Sequence, residues 1–147
     1  MKFYPGYEYF YPADTNLRPY LELLAKYEKP ALFHSGDTYS KAGQAKLKYA
    51  QAIHIDDLAT ELPSLKIIIA HLGNPWMRDA AELLYRHENV YADISGLFLK
   101  DINKNKAQVK LYKNWINEVI TYASPRKLLY GTDYPLIEMK PYIKFAK

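Results

Sequence analysis

The chain contains no cysteine among its 147 residues. That excludes disulfides, thiolate metal sites and a cysteine nucleophile, and it agrees with a cytoplasmic location. Long apolar runs are missing too. The longest candidate, Ile67-Ile68-Ile69-Ala70, is far shorter than the roughly 20 residues that span a bilayer, so no membrane partner is expected. The opening Met1-Lys2-Phe3-Tyr4-Pro5-Gly6 lacks the apolar stretch and small-residue cleavage site of a signal peptide. No low-complexity segment and no linker-like stretch interrupts the chain, which reads as one domain over residues 1–147.

Hydrophobic residues make up 49% and charged residues 24%, the balance of a globular chain with a real core. The formal charge is +4 and the pI is near 9.0. The lysines are spread out, with one mild cluster from Lys100 to Lys113. No aromatic stacking platform accompanies that cluster, so it reads as a solvated face, and no nucleic-acid partner is expected. Tyrosine is abundant, at 15 copies. Phe3, Tyr4, Tyr7, Tyr9, Phe10 and Tyr11 crowd the start of the chain.

Short apolar runs alternate with longer helical patterns. Ala31-Leu32-Phe33 leads to His34, and Lys66 to Ala70 leads to His71. Val90-Tyr91-Ala92 leads to Asp93, and Lys127 to Tyr130 leads to Gly131-Thr132-Asp133. Runs apolar on both faces suit parallel strands covered on both sides. Between them, the spacing predicts helices over Leu17–Lys26, Ile55–Leu62, Met77–Arg86 and Leu111–Tyr122, with another beginning near Lys140. The first places Leu17, Tyr20, Leu21 and Leu24 on one face; the fourth does so for Leu111, Trp115, Val119 and Tyr122. The stretch Gly36 to Gln51 reads as a loop over the strand ends, or as a helix from about Lys41 to Ala52.

Strand–helix alternation of this kind implies an α/β fold with a parallel sheet and right-handed crossovers. Two architectures fit the periodicity: an open doubly wound sheet, or a sector of a closed barrel. A small flavodoxin-type binding module needs a glycine-rich phosphate turn after its first strand, and Pro5-Gly6-Tyr7-Glu8 lacks one.

The polar residues at the strand ends are the informative pattern. His34, His71 and Asp133 each stand just beyond an apolar run. Parallel α/β enzymes build their sites at the carboxyl ends of strands. Imidazole and carboxylate are the ligand types that suit zinc and related divalent ions. Taken singly, each residue has an ordinary structural role: a hydrogen-bonded histidine, or an aspartate capping a turn. Asp93 would orient a neighbour or cap the Ser95-Gly96 turn. His54 and His87 read as structural or surface residues. Joint placement is what singles out the other three.

Four short runs carry a resemblance: Phe33-His34-Ser35-Gly36, Ala70-His71-Leu72-Gly73, Tyr91 to Gly96, and Gly131-Thr132-Asp133-Tyr134-Pro135. Each behind a strand and in this order, they resemble the fifth to eighth strands of the amidohydrolase superfamily. The branch most similar is the one containing aminocarboxymuconate-semialdehyde decarboxylase and the "amidohydrolase 2" proteins. The resemblance runs from about Lys2 to Tyr142. It implies the C-terminal portion, about strands four to eight, of a TIM (β/α)₈ barrel. It further implies a metal-dependent hydrolase, in which a metal-activated water attacks an amide, ester or lactone carbon of a small molecule. A decarboxylase of the same superfamily is the alternative.

Residue by residue, His34 matches a metal-ligand histidine. His71 matches a catalytic or substrate-polarising histidine that ligates a second metal in binuclear members. Asp133 matches the aspartate that binds metal and accepts the proton. Lys2, Tyr4 and Tyr7 fall where substrate-binding residues are expected, and Lys2 also falls near a lysine that is carboxylated in binuclear members. The implied cofactor is a divalent metal, zinc. The family's His-x-His ligand pair has no counterpart here, and a full barrel needs roughly 250 residues. A truncated product, a homo-oligomer, or association with a missing N-terminal half would each account for this. A metal-free, catalytically inactive half-barrel acting as a dimer or subunit is the non-enzymatic expectation.

Overall fold

The computed structural model describes residues 1–38, 44–97 and 105–146. Five strands, β1 (Lys2–Phe3), β2 (Ala31–Phe33), β3 (Ile67–Ile69), β4 (Val90–Asp93) and β5 (Leu128–Leu129), form one sheet. Among the described residues five α-helices accompany them: α1 (Arg18–Lys26), α2 (Ile55–Glu61), α3 (Met77–Arg86), α4 (Lys106–Tyr122) and α5 (Met139–Ala146). Every strand pairing is parallel, and the spatial order is β1-β2-β3-β4-β5. A doubly wound sheet reverses its order at a switch point. This sheet never reverses, so of the two architectures open from periodicity it is the barrel sector.

The register decides which residues face the core. Phe3, Phe33, Ile69 and Ala92 lie side by side across four strands, and all four are buried. Ala31, Ile67 and Val90 complete this face, against which Leu21, Ile55, Leu58, Ala80, Leu83 and Leu84 pack. Each large side chain sealed there contributes about 1.5–3 kcal/mol. The alternate row, Lys2, Leu32, Ile68 and Tyr91, is only half-buried. The strands are therefore apolar on both faces, as their composition implies, yet only the helix-covered face is fully sealed.

Local chemistry sets the helix limits. α3 carries Asp79 in its first turn and Arg86 in its last, matching the helix dipole. Pro63 follows the end of α2 and disfavours helical geometry in the residue before it. The Asn105 side chain caps α4 by accepting from the Gln108 amide at 3.0 Å.

Two facial assignments are corrected. Tyr20 on α1 is exposed while Leu21 is fully buried. On α4, Leu111 and Tyr122 are exposed, and Tyr112 with Val119 supply the buried stripe. The helix also begins earlier than its apolar spacing suggests, at Lys106. After Gly36, a helix from about Lys41 to Ala52 is not formed over the described residues 44–52, which hold 3₁₀ turns at Leu47–Tyr49 and from Ala52. Residues 39–43, and 100–104 of the lysine cluster, lie outside the described residues. His54 and His87 take structural partners: His54 meets the Lys48 carbonyl at 2.7 Å, and His87 meets the Asp56 carboxylate at 2.6 Å. Among the described residues no helix is long and apolar enough to cross a membrane.

Candidate active site at the strand ends

One cavity of about 710 Å³ opens at the carboxyl end of the sheet. His34, His71 and Asp133 all line it, as do Tyr7, Asp37, Asn74, Gly96 and Tyr112. The three residues picked out by strand-end placement thus reach one space, delivered by β2, β3 and β5. The His34 and His71 rings lie 5.2 Å apart, edge to face.

The backbone is strained where these side chains emerge. Among the described residues four non-glycine residues have positive φ: Glu28, His71 (59°), Leu72 (51°) and Asp133 (68°). Two of them, His71 and Asp133, line the cavity, and Leu72 follows His71 directly into the core. Left-handed geometry costs a non-glycine residue roughly 1–2 kcal/mol, and such strain gathers at functional sites. For His71 the offset is visible: its amide donates to Asp93 Oδ1 at 2.9 Å.

Asp93 accounts for more than a turn cap. Its Oδ1 also accepts from the Ser95 amide (3.0 Å) and the Ser95 hydroxyl (2.6 Å). His71 Nδ1 in turn lies 3.0 Å from Ser95 Oγ and 3.1 Å from the Ser95 carbonyl oxygen. Gly96 makes this approach feasible. A Cβ added there would stand 2.5 Å from His71 Nδ1 and 3.3 Å from Asp133 Oδ2.

His34 is the most sealed polar group of the cavity, at 6% exposure. Its Nε2 is buried with no hydrogen-bond partner among the described residues. Burial, then the His71 and Lys2 charges, push its pKa down to about 3, against an opposing pull from the Asp37 backbone. His34 is therefore held as a neutral imidazole, with its buried Nε2 unpaired among the described residues. The Asn74 Oδ1 is the other buried atom left without a partner among the described residues.

The three aromatic-segment candidates divide. Tyr7 lines the cavity, its ring 5.0 Å from that of His34. Tyr4 stacks toward His34 at 6.4 Å but is half-exposed and off the cavity wall. Lys2 is also off the wall, with its Nζ 5.5 Å from the Tyr4 ring. Burial lowers the Lys2 pKa, while the Asp93 and Asp133 carboxylates pull it back up. Lys2 thus supplies positive potential to the Asp93 and Asp133 carboxylates. Asp37, Asn74 and Tyr112 were not legible as cavity residues, since each sits in a loop or mid-helix without a motif. Asp93-Ile94-Ser95 did carry a signal, the Asp-x-Ser pattern of a side-chain-closed turn.

Donor chemistry bears on whether a divalent ion fits. Two imidazoles and a carboxylate on one cavity, one imidazole with a buried Nε2 unpaired among the described residues, suit zinc-type ions. A buried acceptor left unfilled is costly, which favours an occupant at His34. Among the described residues, however, no group of three or more His, Asp or Glu is drawn into a ready metal cluster. The fit is one of donor type and shared cavity, with further ligands still needed.

Comparison with known proteins agrees with this geometry. The profile of the family described as Amidohydrolase matches residues 1–146. An uncharacterised TIM-barrel protein from Bordetella bronchiseptica superposes with a TM-score of 0.73 at 20% identity, over 99% of this chain and 48% of that one. An amidohydrolase from Burkholderia multivorans with bound zinc gives 0.63 at 14%, over 90% and 48%. A dihydroxybenzoic acid decarboxylase from Polaromonas, with bound manganese and the inhibitor 2-nitroresorcinol, gives 0.59 at 15%, over 92% and 48%. The chain thus spans about half the length of these solved structures, and its fold is part of a TIM barrel. No curated protein matches it. A profile match over nearly every residue, with a sequential parallel sheet and polar strand ends on one cavity, places the chain in the amidohydrolase family.

Proposed function

We propose that this chain carries the strands-four-to-eight portion of a metal-dependent hydrolase acting on an amide, ester or lactone. The observation that carries the reading is the buried Nε2 of His34 on the cavity wall, which has no hydrogen-bond partner among the described residues. His34, His71 and Asp133 would hold a divalent ion, zinc, together with ligands from outside the described residues. When bound, the ion supplies Lewis-acid polarisation of an oxygen and eases loss of a water proton. Asp133, half-buried at the cavity, would serve as the general base that accepts a proton from the attacking water. His71 stands beside the reacting carbon, and Tyr7 forms an aromatic wall against the substrate.

Decarboxylation of a small carboxylated substrate is the second reading. Lys2 favours it, because a half-buried cation coupled to the Asp93 and Asp133 carboxylates attracts an anionic substrate. The Polaromonas structure is of a decarboxylase, which keeps that chemistry open for the family.

The test is metal content and turnover together. Purified chain is loaded with zinc, dialysed and analysed for zinc, then assayed on 4-nitrophenyl esters. The reading predicts zinc retention that falls at least about tenfold in Asp133→Asn, with esterase activity abolished by a chelator. Equal zinc in wild type and Asp133→Asn sinks it. A metal-free, inactive oligomer would favour the scaffold role instead.

A further inference from the structure

The hydrogens around His71 can be counted. Ser95 Oγ has one hydrogen, and Asp93 Oδ1 lies 2.6 Å away as an acceptor that already takes the Ser95 and His71 amides. A carboxylate has no hydrogen to give, so the hydroxyl must donate to it. Ser95 Oγ then presents only lone pairs to His71 Nδ1 at 3.0 Å. The second neighbour of Nδ1, the Ser95 carbonyl oxygen at 3.1 Å, is also a pure acceptor. Two acceptors face one ring nitrogen, so that nitrogen carries the hydrogen. Nε2 is left bare, with no hydrogen bond among the described residues.

We infer that Asp93 and Ser95 are positioning residues that lock His71 as the Nδ1–H tautomer, with Nε2 offering a lone pair to the cavity. The inference rests on the hydrolase reading for its purpose. It also limits that reading. A neutral His71 in this state has no hydrogen on Nε2, so it cannot polarise a substrate oxygen by donation. It acts as a metal ligand or as a proton acceptor, and becomes a donor only after taking up a second proton. Asp93 sets the direction of the whole chain of bonds, because it commits the Ser95 hydrogen. Its bond to the His71 amide fixes the left-handed backbone from which the ring projects.

The tautomer is measurable without substrate or metal. The chain is labelled with ¹⁵N-histidine, and long-range ¹H–¹⁵N spectra are taken near pH 8.5, about two units above the ordinary imidazole value. His71→Gln identifies the His71 signals. The inference predicts a protonated-type shift at Nδ1 and a bare-nitrogen shift at Nε2. Ser95→Ala moves the population toward the Nε2–H form, and Ser95→Thr, which keeps the hydroxyl, restores the wild-type pattern. A wild-type spectrum in which the His71 signals are dominated by Nε2–H overturns the inference. So does a Ser95→Ala spectrum identical to wild type. Zinc affinity in the same samples separates the two proposals. Failure of wild type to bind zinc counts against the hydrolase reading, while the tautomer alone decides the positioning role.

Discussion

Gly96→Ala gives a quantitative probe of the site, because one added methyl meets two separable obstacles. The first is backbone geometry: Gly96 has φ +67°, and a left-handed alanine costs roughly 1–2 kcal/mol. The second is steric. The new Cβ would stand 2.5 Å from His71 Nδ1 and 3.0 Å from its Cε1, so the ring must move and give up its bonds to Ser95. Losing that anchor costs about 1 kcal/mol, for a total of about 2–3 kcal/mol. Urea unfolding of four proteins isolates the second part: wild type, Gly96→Ala, His71→Ala and the double variant. In the His71→Ala background the ring is gone and only the backbone cost remains. The penalty of Gly96→Ala should therefore shrink there by about 1 kcal/mol. Gly73→Ala is a control for the backbone cost, since it shares φ +67° but meets only the methyls of Ala52 and Ala80 at 3.3 Å. An identical Gly96→Ala penalty in both backgrounds would refute the close approach of His71 to the β4–α4 turn.

Buried polar groups give two further outcomes. The folded pKa of His34, about 3, lies below its ordinary 6.5, so between these values the unfolded chain binds more protons and stability falls as pH drops. The gap corresponds to at most about 5 kcal/mol, and His34→Gln should flatten this part of the stability–pH profile; parallel profiles for the two proteins would contradict the buried neutral imidazole. Asn89 Nδ2 donates to the carbonyls of Ala59, Leu62 and Leu65 at 3.3, 3.4 and 3.0 Å. Asn89→Asp replaces that donor with a carboxylate facing three oxygens and should cost about 2–4 kcal/mol in urea unfolding, whereas a loss under about 0.5 kcal/mol would show the clamp to be dispensable.

The parts of the fold that were legible in the sequence are those where one physical signal dominates. α3 was readable to the residue, Met77–Arg86, because its apolar periodicity and its end charges agree. The apolar runs before His34, His71 and Asp133 marked strand ends because little but a covered parallel strand accommodates Ile67-Ile68-Ile69. α4 was misphased because Leu111, Tyr112, Trp115 and Tyr122 place large side chains around much of the helix. Tertiary packing, which no window of sequence contains, selects Tyr112 as the buried one. The candidate site was legible as a set of side chains but not as a geometry. The left-handed turn at His71 and its anchor on Asp93 join residues 22 positions apart, and only the β3–β4 register brings them together.

The central claim is that the cavity at the strand ends receives a divalent ion through His34. Anomalous diffraction at the zinc edge, on crystals of the chain soaked in zinc, tests it directly. The account predicts a peak about 2.0–2.1 Å from His34 Nε2, within the cavity shared with His71 and Asp133. A peak elsewhere on the chain, or none at saturating zinc, would contradict it.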